Sequence, residues 1–290
     1  MTLPSTLSSR TSRDNVVAVR RNPLVPLPGP GHLRDLVRLM GGAPDEVDDG
    51  DPPVTLWRIG QGASLLHEGA HAQAVYVVRS GSLKCFRTLE DGYEQVVAFV
   101  HAGDVLGFEA LHCGRQPTSV VALEETTAYA LPTSGGRLAH AGAAALADAL
   151  NTALSRQLAR AAGAGEMMSA VASDVRLARF LLWMSARMAE GGRSPRRLLL
   201  RMCRRDIASL LGVAHETVSR SFTTLAEAGL VMVQNREVEI LDVERLRALA
   251  RSTRATAHDG TRRGTPPVVS RGPTPAPVWF PQVPALAAAA

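Results

Sequence analysis

Residues 204–231 read RRDIASLLGVAHETVSRSFTTLAEAGLV, and the apolar residues of this stretch have the spacing of two short helices joined by a tight turn. Ala208 is small, as expected where two helices cross, and Gly212 supplies the backbone freedom that a tight turn requires. The positions that should pack in the interior are Ile207, Ala208, Leu211, Gly212, Val213 and Val218. We therefore predict a helix-turn-helix in this stretch.

The second helix of this motif has two chemically different faces. Its apolar face, which should point inward, contains Val218, Phe222 and Leu225. Glu216, Ser219 and Arg220 are three and four residues apart and therefore share the opposite face. An arginine can bond guanine O6 and N7 together, a glutamate can accept from cytosine N4, and a serine can serve several bases. This face predicts base reading in the major groove of DNA, and the alternative interpretation is an ordinary surface ion pair between Glu216 and Arg220.

Basic residues and a hairpin flank the motif. The candidates for contacts with DNA phosphates are Thr217, Arg204 and Arg205. The alternating run LVMVQNREVEIL at 230–241, with an Asn-Arg turn, predicts a β-hairpin that would form a wing. Residues 174–190 predict an amphipathic helix before the motif. Residues 176–254 contain 15 arginines and 8 acidic residues, so the basic charge of the chain is concentrated in this part.

The residues between Val54 and Pro132 form short β-type runs separated by glycine turns. Runs of this length and spacing favour a small barrel or jelly roll, and the Glu-Asp-Gly run at 90–92 is typical of a hairpin turn. The period then changes, since leucines recur every four residues at Leu146, Leu150, Leu154 and Leu158. This spacing predicts one long helix over 137–168. Its apolar seam predicts contact with a second copy of the chain or, alternatively, packing on its own domain.

The composition is that of a two-domain globular protein with unstructured ends. The hydrophobic fraction is 46%, and no apolar run is long enough to cross a bilayer. Because no secretory signal is recognisable, we expect a cytoplasmic protein. Residues 1–50 are predicted to be a largely flexible extension with one short helix around Leu33 to Met40, and residues 251–290 a disordered tail, since both are rich in proline and glycine. Between them we predict a sheet domain at 51–136, the dimerisation helix at 137–168 and a winged helix-turn-helix at 169–250.

Two stretches resemble a known family. The run VYVVRSGSLKCFRTLEDGYEQVVAFVHAGDVLGFEAL at 75–111 and the run MCRRDIASLLGVAHETVSRSF at 202–222 are similar to Crp/Fnr regulators, above all to the Fnr and FixK-type branch. The resemblance covers residues 55–250. It implies an α+β fold with an N-terminal cyclic-nucleotide-binding-like β-barrel (jelly roll), a long dimerisation helix and a C-terminal winged helix-turn-helix.

The segment Glu216-Thr217-Val218-Ser219-Arg220 matches the E-x-x-S-R signature of that branch. By this resemblance, the chain binds double-stranded DNA as a homodimer, at a palindrome similar to TTGAY-N4-RTCAA. Surface loops of the barrel would contact RNA polymerase. The resemblance therefore implies a regulator of transcription that is not an enzyme.

Departures from the family pattern argue against the usual effectors. Members that bind cyclic AMP are expected to carry an Arg-Ser pair where this chain has Pro117 and Thr118. Because Arg115 is nearby, a cyclic-nucleotide-dependent regulator is an alternative. Iron–sulfur members need four cysteine ligands, and this chain has only three cysteines. They are Cys85, Cys113 and Cys203, far apart in the sequence. We therefore expect neither a cofactor nor a metal site.

Four histidines of the predicted barrel leave two further alternatives open. They are His67, His71, His101 and His112. A single histidine can ligate haem, so a haem-dependent regulator is one alternative. The other is a metal-dependent enzyme of cupin type, which requires an H-x-H pair that this chain lacks. A scaffold whose helix-turn-helix contacts protein instead of DNA is a third interpretation, and salt-sensitive DNA binding would distinguish it from a regulator.

Cys203 stands immediately before the first helix of the motif, in the run MCRRD. Backbone N–H groups at the start of a helix and neighbouring guanidinium groups favour a thiolate, which oxidises readily. The Cys-Arg-Arg-Asp run also resembles that of FixK-type proteins. We predict that Cys203 is a redox switch of DNA binding, with a packing role as the alternative.

Overall fold

In the computed structural model, which describes residues 24–27, 31–47, 51–133 and 143–252, the N-terminal half consists mainly of β-strands. In chain order they are β1 (Val25–Pro26), β2 (Gly31–His32), β3 (Pro53–Ile59), β4 (Ser64–Leu66), β5 (Ala74–Ser80), β6 (Ser82–Thr88), β7 (Glu94–His101), β8 (Val105–Leu106), β9 (Ser119–Ala122) and β10 (Thr126–Pro132). Two short α-helices interrupt this series, α1 (Leu33–Leu39) and α2 (Ala110–Cys113), and so does one 3₁₀ turn at Pro44–Glu46. The strands expected from the sequence are confirmed, and so is the hairpin turn between β6 and β7.

The strands form two antiparallel sheets that enclose one apolar cluster. The first has the order β1-β3-β10-β5-β8, with β2 also paired to β3, and the second has the order β4-β9-β6-β7. Alternate side chains of both sheets point into the space between them. Among them are Ile59, Val78, Leu83, Val100 and Val120. The arrangement is therefore the jelly roll of the expected fold class, made of two separate sheets instead of one closed barrel.

One long helix, α3 (Ala143–Ser169), follows the sheets, as its leucine spacing predicts. The beginning of the predicted span, residues 137–142, lies outside the described residues. Leu146 is buried, and Leu150 and Leu154 are half-buried against the sheet domain, but Leu158 is 74% exposed. A four-residue interval overshoots the helical repeat, so the fourth leucine is rotated by about 120° from the first. The stripe therefore packs on its own domain at first and then turns outward.

The helix predicted around Leu33 to Met40 is confirmed as α1, but it packs on the rest of the domain, so the prediction of a flexible extension over residues 1–50 is wrong for the part that the structure describes. Leu36 and Val37 of α1 are fully buried, and so is Met40 just after it. These side chains share an apolar core with Ala149 of α3. The physical reason is that α1 is amphipathic, and its apolar face covers the core between α3 and the first sheet. The sheet domain therefore begins well before the predicted boundary.

The C-terminal domain contains the predicted amphipathic helix, the helix-turn-helix and the hairpin. Its elements are α4 (Ser173–Glu190), β11 (Arg197–Leu199), α5 (Arg204–Leu211), α6 (His215–Glu227), β12 (Val231–Gln234), β13 (Glu237–Ile240) and α7 (Val243–Arg251). Strands β12 and β13 form a sheet with β11 in the order β11-β13-β12. Neither β11 nor α7 was predicted from the sequence. Of the tail predicted at 251–290, residues 253–290 lie outside the described residues, and Arg251 is the last residue of α7.

The two domains share a hydrophobic cluster and an ion cluster. Phe86, Val96 and Phe99 of the second sheet pack with the core of the helix-turn-helix domain. Beside this contact, the Asp104 carboxylate pairs with Arg187 of α4 at 2.5 Å and with Arg160 of α3 at 2.6 Å. No helix in the described ranges combines the length and the hydropathy that crossing a membrane requires.

Candidate nucleic-acid interface

Helix α5 begins with a cap formed by its first residues. The backbone N–H and the thiol of Cys203 both donate to Asp206 Oδ2, each at 3.1 Å. Asp206 Oδ1 also accepts from Lys84 Nζ of strand β6, at 3.1 Å. Burial alone would raise the pKa of Asp206, but the bonds from Cys203 and Lys84 outweigh burial and lower that pKa. One carboxylate therefore caps α5 and connects it to the sheet domain.

The turn between α5 and α6 depends on a glycine and an arginine. Gly212 has a φ of +62°, a left-handed conformation that uses the backbone freedom predicted for this turn. The Arg176 guanidinium, from α4, donates to the carbonyl of Leu211 at 2.7 Å and to that of Ala170 at 2.8 Å. Arg176 therefore holds both the turn and the junction between α3 and α4, which sets the direction in which α6 leaves the turn.

Helix α6 buries one face and exposes the other, as predicted. Its buried apolar residues, each at most 4% exposed, are Val218, Phe222 and Leu225. Glu216, Ser219 and Arg220 are all exposed. Glu216 Oε1 lies 3.0 Å from His215 Nδ1, whereas Arg220 has no ion-pair partner among the described residues. The alternative of a Glu216–Arg220 ion pair is therefore not observed, and the guanidinium of Arg220 points away from the protein core on the same face as the other two residues.

The first turn of α6 favours a charged Glu216. A hydrogen bond from its own backbone N–H and the charge of His215 lower the pKa of Glu216, and Arg220 adds to this effect. The carboxylate is then an acceptor, which is what an exocyclic amino group such as cytosine N4 requires. The face thus presents an acceptor, a hydroxyl and a guanidinium donor side by side.

The three candidates for phosphate contact differ in their surroundings. Arg205 is exposed on the first turn of α5, and Thr217 is half-buried on the first turn of α6. Arg204 is half-buried with its guanidinium 3.5 Å from the centre of the Phe222 ring, and burial lowers the pKa of Arg204. Its Nη2 also donates to the Asn235 carbonyl at 3.3 Å. Arg204 therefore connects α5, α6 and the wing, a role that depends on tertiary contacts and that the sequence analysis missed.

The wing is the hairpin of β12 and β13, and its turn lies at Asn235 and Arg236. Asn235 has a φ of +57°, which asparagine tolerates better than most residues. Arg236 is exposed and donates to the Arg201 carbonyl at 3.3 Å. The turn thus adds a further exposed cation to the domain that carries α6.

The loop before β9 bears on the cyclic-nucleotide alternative. Arg115 Nη1 donates to the Gly69 carbonyl at 2.8 Å, and the backbone of Arg115 is bridged to that of His71. Gln116 is buried, and Pro117 has no backbone N–H to offer a phosphate. The arginine that a cyclic phosphate needs is thus out of register and already bonded to the loop backbone. These residues do not fit the contact that members binding cyclic AMP make.

The cysteines do not fit an iron–sulfur cluster. Cys85 is buried in β6, where burial raises the pKa of its thiol, whereas Cys113 and Cys203 are exposed on α2 and before α5. In the part of the chain that the structure describes, no group of three His, Cys, Asp or Glu side chains is arranged to hold a metal ion. Such a cluster requires four thiolates in one place.

His101 lies where the sheet domain meets α4. The His101 ring is 5% exposed and meets the Trp183 ring edge-on, with ring centres 6.5 Å apart. Burial and the nearby charges of Arg187, Arg193 and Arg160 lower the pKa of His101 to about 3. Its neutral ring is therefore part of the packing between the two domains.

Comparison with known proteins gives a consistent result. A family model for a Crp-like helix-turn-helix domain matches residues 175–249, and one for a cyclic nucleotide-binding domain matches residues 56–135. The fumarate and nitrate reduction regulatory protein of Salmonella typhimurium is 31% identical over 204 residues, which are 69% of this chain and 80% of that protein. The transcriptional activator protein Anr of Pseudomonas protegens is 33% identical over 190 residues, 66% of this chain and 78% of that protein. The solved structure of FixK2 from Bradyrhizobium japonicum matches with a TM-score of 0.60 and 28% identity, covering 69% of this chain and 99% of that one.

Proposed function

The chain belongs to the Crp/Fnr family of DNA-binding transcription regulators, and we propose that it reads a palindrome of the type TTGAY-N4-RTCAA as a homodimer. The observation that carries this proposal is the exposed face of α6, on which Glu216, Ser219 and Arg220 lie together while the opposite face is buried. Arg220 would bond guanine, Glu216 would accept from cytosine, and Ser219 would add a further base contact. Contacts with phosphates would position the motif, and they would come from Arg205, Thr217 and the exposed part of the Arg204 side chain.

A second copy of the chain would pack along α3. Leu158 is 74% exposed on this helix, although a leucine at a packing position is normally covered. Pairing of two such helices would place two recognition helices about one turn of DNA apart, so that symmetric half-sites are read together. The dimer then accounts for the palindrome.

We infer that DNA binding requires neither a cyclic nucleotide nor an iron–sulfur cluster. The support is chemical: the phosphate-binding arginine is out of register at Arg115, and the three cysteines lie on separate elements. The protein would act in the cytoplasm, contact RNA polymerase through surface loops of the sheet domain, and catalyse no reaction. A large gain in DNA affinity on adding cyclic AMP, of about 1–3 kcal/mol, would contradict this part of the proposal.

The test is selection of binding sites from random DNA, followed by Arg220→Ala. The parent should enrich a TTGA core, and the variant should lose about 1–3 kcal/mol and relax its preference at the guanine position. Arg205→Ala is the matched control, because removing a phosphate contact should weaken all sequences alike and lower the salt slope by about one. Enrichment of sites without a TTGA core, or full specificity in Arg220→Ala, would show that the assignment is wrong.

The interpretation as a scaffold that does not bind DNA makes the opposite prediction. A regulator that contacts several phosphates should lose affinity steeply as the salt concentration rises. A scaffold should show no specific DNA binding at any salt concentration. Titration of labelled DNA at several ionic strengths therefore separates the two functions.

A further inference from the structure

Helix α5 packs against two different parts of the molecule. Ile207, Ala208 and Leu211 are buried in the core of the helix-turn-helix domain. Ser209, on another side of the helix, contacts the edge of strand β7 in the sheet domain, and Asp206 reaches Lys84 of β6. The first helix of the DNA-binding motif is therefore also the element that meets the sheet domain.

Ser209 makes three hydrogen bonds to a short stretch of β7. Its hydroxyl accepts from the Val96 backbone N–H at 2.8 Å and donates to the Glu94 carbonyl at 3.0 Å. Its carbonyl accepts from Gln95 Nε2 at 2.7 Å. These partners are more than a hundred positions away in the chain, and Ser209 is only 4% exposed.

The contact uses the free edge of the sheet. Strand β7 is the last strand of the order β4-β9-β6-β7, so the Val96 N–H and the Glu94 carbonyl that face Ser209 have no partner among the described strands. The hydroxyl of Ser209 satisfies both a donor and an acceptor of the strand, and a buried backbone N–H without a partner would be costly.

We propose that Ser209 is a positioning residue that fixes the helix-turn-helix on the sheet domain, and thereby sets the spacing at which a dimer accepts two half-sites. This inference rests on the proposed function. The sheet domain continues into α3, the proposed dimer contact, so a fixed α5 keeps α6 at one distance and angle from the dimer axis. Inserting one base pair between half-sites rotates one against the other by roughly 35°, which a rigid arrangement cannot follow.

The first measurement uses DNA. Ser209→Ala and the parent are titrated with palindromes whose spacers have three, four, five or six base pairs, and with a single half-site. We expect the parent to prefer one spacer. The ratio of its affinities for the preferred and the other spacers should fall about tenfold in the variant, a change that the loss of a buried hydrogen bond can produce. Affinity for the single half-site should be unchanged, because Ser209 does not touch the base-reading face. A merely structural role would lower affinity for all these DNAs together.

The second measurement needs no DNA. Hydrogen exchange of the peptide covering 94–100 should become faster in Ser209→Ala, because the Val96 amide loses its acceptor, while a peptide covering β5 should be unaffected. Ser221→Ala is the matched control, since Ser221 is equally buried in the same motif but bonds Ser173 of its own domain at 3.0 Å. Gln95→Ala removes the hydrogen bond from the Gln95 side chain to the Ser209 carbonyl and leaves Ser209 itself in place. This variant replaces Ser209→Ala in both measurements if Ser209→Ala does not fold.

The outcomes separate the two proposals. An unchanged spacer preference together with unchanged exchange at 94–100 in Ser209→Ala, or in Gln95→Ala, would overturn the positioning role. Equal loss of spacer preference in Ser221→Ala would overturn it as well. If the parent binds no DNA at all, the proposed function fails, and the exchange measurement still shows whether Ser209 fastens α5 to the sheet domain.

Discussion

Replacing Asp104 by Asn should lower the free energy of unfolding by about 3–5 kcal/mol, because it leaves a buried cation without its counter-charge. Asp104 and Arg187 have side chains only 7% and 5% exposed, and their charged atoms are 2.5 Å apart. Arg160 has 22% of its side chain exposed, so water can solvate its charge when Asp104 is replaced. Loss of the Arg160–Asp104 ion pair should therefore contribute less than about 1 kcal/mol to the change in unfolding free energy. The His101 backbone N–H donates to Asp104 Oδ2 at 3.0 Å, and it can still donate to the amide oxygen of an asparagine. The loss is therefore mainly the cost of stranding Arg187.

Equilibrium unfolding in urea at neutral pH measures this loss, and the melting temperature should fall by about 10 °C for a chain of this size. Glu190→Gln is the control, since Glu190 pairs with the same arginines but is 55% exposed, and it should cost less than about 1 kcal/mol. Adding Arg187→Met to Asp104→Asn should restore part of the stability, because no buried charge then remains unpaired. A loss below about 1 kcal/mol in the single variant, or a double variant as unstable as the sum of both single ones, would refute this reasoning.

Three further predictions concern acid stability, assembly and oxidation. The folded pKa of His101 is about 3 against 6.5 unfolded, so the unfolded state binds the proton first and stability should fall as pH drops from 6.5 towards 3. At pH 5 the loss is about 2 kcal/mol, and His101→Gln should show a correspondingly flatter pH profile in urea unfolding. Leu158→Arg should leave the melting temperature of the protomer unchanged but shift sedimentation equilibrium towards monomer, and an unchanged dimer would contradict pairing along α3. In a gel-shift assay, peroxide should weaken DNA binding of the parent but not that of Cys203→Ala, in which both other cysteines are intact. The reason is that an oxidised sulfur beside Asp206 adds negative charge to the cap of α5. Equal sensitivity of both proteins to peroxide would show that Cys203 is purely structural.

The candidate site was largely predictable because its residues are close in sequence. Helical spacing placed Glu216, Ser219 and Arg220 on one face, and this face is exposed in the structure. For Arg204 only a phosphate contact was predicted. Its stacking on Phe222 depends on how two helices pack together, so the residue spacing within either helix could not predict it. Its assignment as a simple phosphate contact therefore omitted its connection to the wing.

The N-terminal segment shows the opposite case. Its proline and glycine content indicated a flexible extension around one short helix, yet that helix, α1, buries Leu36 and Val37 against α3. Seven helical residues are too few to be stable alone, and their stability comes from the partner surface. Composition describes the chain in isolation and cannot register such a surface.

Periodicity and turn chemistry act within a few residues, and for that reason the strands, the long helix, the turn at Gly212 and the exposed polar face of α6 could all be predicted from the order of amino acids. The docking of α1, the pairing of Asp104 with Arg187 and the contact of Ser209 with β7 arose only in the folded molecule. Each of these contacts joins residues that are far apart in the chain, and its partner is selected by the way the sheets and helices pack against one another rather than by any neighbouring residue.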